Sequence, residues 1–274
     1  MDPSLEKLLT ASVHSRKFIT VLTGAGVSAE SGIPTFRGPE GYWTVGSEAY
    51  QPQEMATRRM FLKQPYEVWK WYLYRRSVCA AAEPNPGHQA LAEMERLFGD
   101  RFHLITQNVD NLHIRAGSSP ERTFQIHGNV FRMRCAEECS QRLVPVPPDL
   151  DDWVRDRDLT PAETALLRCP ECGGLARPHV LWFDEVYDEP FYRLTSTLEV
   201  ARKTDLLIVA GTSGMTNLPN KVAWEVSRRH GAVIVDINID VNPFAALAVR
   251  DGGFAVKDTC SRVLPEILSV FQDA

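Results

Sequence analysis

Four short runs of apolar and β-branched residues most constrain what this chain can fold into: 18–22 (FITVL), 102–106 (FHLIT), 206–210 (LLIVA) and 232–237 (AVIVDI). Each is continuous rather than alternating and lies close to Gly, Asp or Asn, the pattern of strands covered on both faces. Helical stretches separate them: YEVWKWYLYRR, HQALAEMERLF behind Asn85-Pro86, 220–229, and 262–271. Such alternation predicts an α/β fold with a doubly wound, mostly parallel sheet. With 274 residues and 44% hydrophobic content the chain can bury one large core and a smaller satellite.

Two stretches break the rhythm. Residues 38–82 are rich in aromatics and Arg without a buried-strand run, and predict a helical insertion. Residues 132–177 hold four of the six cysteines, a Pro-rich loop and a short helix opening at Thr160-Pro161, with Glu163 completing a capping box. These two insertions are expected to form a small domain, beside a main domain built from 1–37, 83–131 and 178–274.

A net charge of -5 supplies no global attraction to nucleic acid or an anionic membrane, so neither is an expected partner. No segment reaches the ~20 apolar residues of a membrane span, and the first residues lack the apolar stretch of a secretory signal. An intracellular, cytoplasmic setting with reduced thiols is expected. Cys135-x3-Cys139 and Cys169-x2-Cys172, 29 residues apart, then read as two knuckles presenting four thiolates to one zinc ion. An all-thiolate site has no open position for water, so this zinc is expected to be structural. Cys79 and Cys260 are left as buried thiols.

After the first strand comes Gly24-Ala25-Gly26-Val27-Ser28-Ala29, a G-x-G-x-x-A at a strand-to-helix turn. Glycines there let the backbone approach a pyrophosphate, which makes the sheet Rossmann-like and NAD a candidate ligand. The chain continues as Ser31-Gly32-Ile33-Pro34-Thr35-Phe36-Arg37-Gly38, a loop where a dehydrogenase would show a second strand ending in an acidic ribose ligand. Hydride transfer is therefore disfavoured, and Phe36-Arg37 reads as a flap over the nucleotide.

Residues 24–38 as a whole resemble the signature of the sirtuins, the NAD-dependent protein deacylases. Further blocks match in order: 106–113 (TQNVDNLH), Ile126-His127-Gly128, the paired cysteines, and Gly211-Thr212-Ser213 followed by Asn238. The resemblance implies that Gly24, Ala25, Gly26, Arg37, Gly211, Thr212 and Ser213 lie along the phosphates. It places Asn238 on the adenosine ribose and the backbone near Cys260 on the adenine. Phe36 would close over the nicotinamide ribose, Gln107 and Asn108 would orient that ribose, and Asp110 would bind the carboxamide. His127 would be the general base, with Asn108 beside it in catalysis, and His113 would make a structural hydrogen bond behind the site.

Those roles make chemical sense. Loss of nicotinamide leaves cationic character on the ribose, which calls for a weak nucleophile held in line and shielded from water, here the acyl oxygen of a modified lysine. A ribose hydroxyl must next be deprotonated, and a histidine titrates in the required range. The products implied are nicotinamide and O-acyl-ADP-ribose.

Tyr72 and Arg75 stand three apart on one helical face and resemble the Tyr-x-x-Arg pair of the class III sirtuins, which meets the carboxylate of succinyl, malonyl or glutaryl lysine. Ala56 corresponds to the small residue that widens that pocket. A buried carboxylate needs a charge-assisted partner, which Arg and a phenol supply. Residues 177–185, with Val180, Leu181 and Phe183, resemble the strand that pairs with the acylated peptide. Asp184 stands where the family usually has Gly, and 214–219 (GMTNLP) departs from the usual partner strand, which puts the peptide preference in question. The expected activity is NAD-dependent lysine deacylation, favouring acidic acyl groups over acetyl. The competing readings are ADP-ribosyl transfer or NAD hydrolysis, and a non-catalytic module binding NAD or acyl-lysine.

Overall fold

A computed structural model of the chain describes residues 1–35 and 50–274, together with the backbone of 43–45 and 48–49. Phe36 and Arg37, the expected flap residues, lie outside the described residues. In chain order the strands are β1 (Ile19–Thr23), β2 (Trp43–Val45), β3 (Glu48–Tyr50), β4 (Phe102–Thr106), β5 (Thr123–Gln125), β6 (Gly128–Cys135), β7 (Val144–Pro145), β8 (Ala176–Val180), β9 (Leu206–Ala210), β10 (Val233–Ile237) and β11 (Phe254–Val256).

Six of them form one parallel sheet in the order β11-β10-β9-β1-β4-β5. The chain winds from β1 through β4 to β5, then returns to the far side of β1 as β9, β10 and β11. The order therefore reverses between β1 and β9, and a crevice opens at their carboxyl ends. All four expected strands are in this sheet, and each alternates its side chains between two cores. Ile19, Val21, Leu104, Ile208 and Val235 enter one core, which is covered by the helices Pro3–His14, Pro86–Phe98 and Cys260–Asp273. Leu22, Ile105, Leu207, Val209 and Ile234 enter the other, with Val222 and Phe244 of the helices Asn217–Ser227 and Pro243–Arg250. Coverage on both faces is why these strands read as unbroken apolar runs.

A third core joins the two insertions. Met55, Phe61, Trp69 and Tyr72 pack with Met133, Trp153, Leu167, Ala176 and Trp182. The Trp69 indole donates to the carbonyl of Ala176 at 2.8 Å, tying the helix Pro65–Ala81 to the antiparallel sheet β7-β6-β8. Strands β6 and β8 run through the expected seams at 131/132 and 177/178. The 38–82 insertion is not wholly helical, because β2 and β3 pair as an antiparallel hairpin. Arms of three residues are too short to show a periodicity. Among the described residues, no helix is long and apolar enough to cross a membrane.

Candidate functional site

The sheet register assembles the site. Thr23 lies level with Thr106 and Ala210, Thr106 with Gln125, and Ala210 with Ile237. The residues just past these ends are Gly24, Gln107, Gly211 and Asn238, with His127 two beyond Gln125. Blocks far apart in sequence thus meet along one edge of the sheet.

Gly24 and Gly26 are required by contact with the loop after β9. A Cβ on Gly24 would sit 2.6 Å from Cβ of Thr212, and one on Gly26 would sit 2.7 Å from Cα of Gly211, too close for any side chain. Gly211 itself has φ of +63°. The N–H of Gly26 donates to the Gly211 carbonyl at 2.8 Å, Asn238 Nδ2 donates to the Thr212 carbonyl at 2.8 Å, and Gln107 Nε2 donates to Thr212 Oγ1 at 2.8 Å. Ala25 and Ser213 are exposed above this junction. Cys260 is buried at the start of its helix, with Sγ 3.9 Å from the Ile237 carbonyl.

Behind the crevice lies a buried polar cluster. Asn108 Nδ2 donates to the Gly24 carbonyl at 3.0 Å and to Ser28 Oγ at 2.9 Å. Asp110 accepts from Ser28 Oγ at 2.7 Å and from the Leu112 N–H at 2.9 Å, and burial raises its pKa against those hydrogen bonds. His113 Nε2 meets Thr23 Oγ1 at 3.0 Å in a fully enclosed position, in keeping with a structural role. The donor set fits NAD: a glycine cradle too tight for side chains, a buried carboxylate beside Asn108, and an asparagine at the far end.

His127 is half-buried between β5 and β6. The desolvation of its ring pushes the imidazole down to about 4, below the near-neutral titration expected of a histidine base, opposed by the backbone carbonyl of Gln107. Nε2 lies 2.7 Å from the Tyr187 hydroxyl. No motif in the sequence marks Tyr187, which sits in an irregular segment 60 residues away.

Of the residues expected to meet the substrate, Tyr72 is buried, its oxygen accepts from Trp182 Nε1 at 3.0 Å, and burial raises the phenol's pKa. Arg75 is half-buried, with its guanidinium 5.2 Å from the centre of the Trp71 ring, and lines a cleft with Ile33, Pro34, Thr35, Tyr74, Val78 and Cys79. Tyr72 is not among the residues that line this cleft. Ala56 is buried, and its carbonyl accepts from the Phe183 N–H at 3.0 Å. The Leu181 N–H donates to the His127 carbonyl at 3.0 Å, Val180 is buried, and Phe183 is exposed. β8 ends at Val180, so 181–185 is not strand. Asp184 accepts from the N–H groups of Arg58 at 2.6 Å and Arg59 at 3.1 Å, opening the helix Arg58–Lys63.

The four paired cysteines converge. All their sulfurs lie within 4.8 Å of one another, with Cys135 to Cys172 and Cys139 to Cys169 each at 3.6 Å. That separation is far above the ~2 Å of a disulfide and close to the edge of a tetrahedron with ~2.3 Å zinc–sulfur bonds. The set fits a structural zinc ion.

The sequence pattern of the Sir2 family matches residues 24–217. A protein of Leptospira interrogans named NAD-dependent protein deacylase is 38% identical over 95% of this chain and 96% of its own length. The mitochondrial NAD-dependent protein deacylase sirtuin-5 of Danio rerio is 38% identical over 92% of this chain and 82% of its own. A crystal structure of a Sir2 homolog–NAD complex superposes with a TM-score of 0.79 at 36% identity, covering 98% of this chain and 94% of that one.

Proposed function

This chain belongs to the Sir2 family and is an NAD-dependent protein deacylase, and we propose that it removes succinyl, malonyl or glutaryl groups from lysine side chains in preference to acetyl. The observation that carries the preference is Arg75 on the cleft wall, one helical turn from a Tyr72 phenol that burial keeps protonated. A guanidinium accepts a carboxylate's charge there, and the resemblance of Tyr72 and Arg75 to the class III pair implies the same choice.

NAD, when bound, supplies the ribose carbon that receives the acyl oxygen as nicotinamide departs. Gly24–Gly26 and Gly211–Ser213 would hold its phosphates, and Asn238 and the start of the Cys260 helix would hold the adenosine end. Asn108 and Asp110, fixed by Ser28, orient the nicotinamide ribose and its carboxamide. His127, neutral because its ring is desolvated, takes the proton of a ribose hydroxyl. The peptide lies along 180–183, with Ala56 leaving room for the acyl chain. The four cysteines hold zinc as a brace, which suits a reducing, cytoplasmic setting.

Incubation with NAD and paired succinyl- and acetyl-lysine peptides tests the preference. Faster nicotinamide release with the succinyl peptide is expected; equal rates, or no turnover of it, refute the assignment.

A further inference from the structure

The hydroxyl of Tyr187 lies 2.7 Å from Nε2 of His127, with the two rings tilted by 34°. The phenol lies beside Leu218 and Thr216, which lower its pKa against the rise that burial causes. Both belong to the 214–219 segment that departs from the family pattern, where Thr216 immediately precedes the helix Asn217–Ser227 without capping it by its side chain. Thr216 Oγ1 donates to Gln107 Oε1 at 2.9 Å, and Gln107 in turn holds Thr212. Tyr187 thus joins the imidazole, and Thr216 beside it is tied through Gln107 to the loop after β9.

A base needs a lone pair on the nitrogen facing the cleft and a proton on the other. The hydrogen bond from the ring to the Gln107 carbonyl raises the imidazole's pKa, as an accepting carbonyl does, so it takes the N–H of Nδ1. Nε2 then carries the lone pair, and the Tyr187 O–H donates to it. Burial lowers the ring's pKa and that carbonyl raises it; no charged side chain among the described residues contributes.

We propose that Tyr187 is a positioning residue for His127: its hydroxyl holds the ring with Nε2 toward the cleft until a ribose hydroxyl takes its place. This rests on the reading of His127 as the base. Thr216 and Leu218 seat the phenol, so the unusual 214–219 segment is part of the same device.

The test uses the full chain without NAD, following His127 by NMR with labelled histidine. Removing a donor from Nε2 destabilises the neutral ring, so Tyr187→Phe should move the titration up by roughly half to one pH unit, the size of one net hydrogen bond. 3,5-Difluorotyrosine at 187, a more acidic and stronger donor of unchanged shape, should move it down. The acid limb of kcat/KM should follow the same order. An unmoved titration in Tyr187→Phe, or shifts of the same sign in both variants, overturns the proposal. His127→Ala separates the two readings: retained deacylation refutes the base, while the NMR result still decides whether Tyr187 holds the ring.

Discussion

The Asp184 carboxylate accepts the backbone N–H of Arg58 at 2.6 Å, joining the loop that follows β8 to the first turn of the helix Arg58–Lys63. A glycine there has no group to satisfy those amides. The departure from the family pattern thus serves as a helix cap across two segments 126 residues apart. Asp184→Gly should cost about 1 kcal/mol and lower the melting temperature by a few degrees. It should also raise KM for the peptide, because Phe183 and Ala56 are joined beside it. A thermal melt with peptide kinetics checks both, and an unchanged melt contradicts the cap.

Arg75→Met should reduce the ratio of succinyl to acetyl turnover at least tenfold, since a lost charge-assisted contact of about 1.5–3 kcal/mol falls on the acidic substrate alone. Competition between the two peptides in one reaction, read by mass spectrometry, measures the ratio directly. An unchanged ratio removes Arg75 from the pocket.

One zinc per chain should be found by metal analysis of the wild type, and Cys169→Ser should lose it. The small domain should then melt early, because the energy of metal binding is folding energy for a site the unfolded chain does not preform. Retention of zinc in that variant contradicts the four-cysteine site.

Acid should destabilise the fold between neutrality and about pH 4. Burial pushes His88 down to about 4 and His179 to about 3, the latter helped by Arg134 and Arg177. Above pH ~6.5 both imidazoles are neutral in either state and contribute no pH dependence. As pH falls below that, the unfolded chain takes up protons that the folded chain refuses, so stability drops, by up to about 1.4 kcal/mol per pH unit for each group. Urea midpoints measured across this window check the slope, and His179→Gln should flatten it. The same direction applies to catalysis: with His127 at about 4, the acid limb of kcat/KM should lie well below the ordinary histidine range.

The main sheet was legible because its strands are buried on both faces, as the continuous runs announced. β5 and β11, at three residues each, carry no pattern of their own and form by pairing with β4 and β10. β6 was hidden for a different reason, and β8 was read only through the resemblance, as part of a peptide-pairing strand: Arg134 and Arg177, which read as surface residues, are buried. Arg134 packs over the Phe191 ring at 4.2 Å and pairs with Glu138, and Arg177 packs over Trp182 at 3.5 Å and pairs with Glu185. In the site, the parts written as contiguous motifs, Gly24–Gly26, Asn108, Asp110, His127 and the cysteine knuckles, were visible. Contacts that depend on tertiary approach, Tyr187 to His127 and Asp184 to Arg58, were not, since neither sequence spacing nor periodicity encodes them.

The most direct test is a crystal structure of the protein with NAD and a succinyl-lysine peptide. Nε2 of His127 should lie about 3 Å from a hydroxyl of the nicotinamide ribose, with the succinyl carboxylate on Arg75. An imidazole turned away from that ribose, with the carboxylate in solvent, would contradict both the base and the acyl preference.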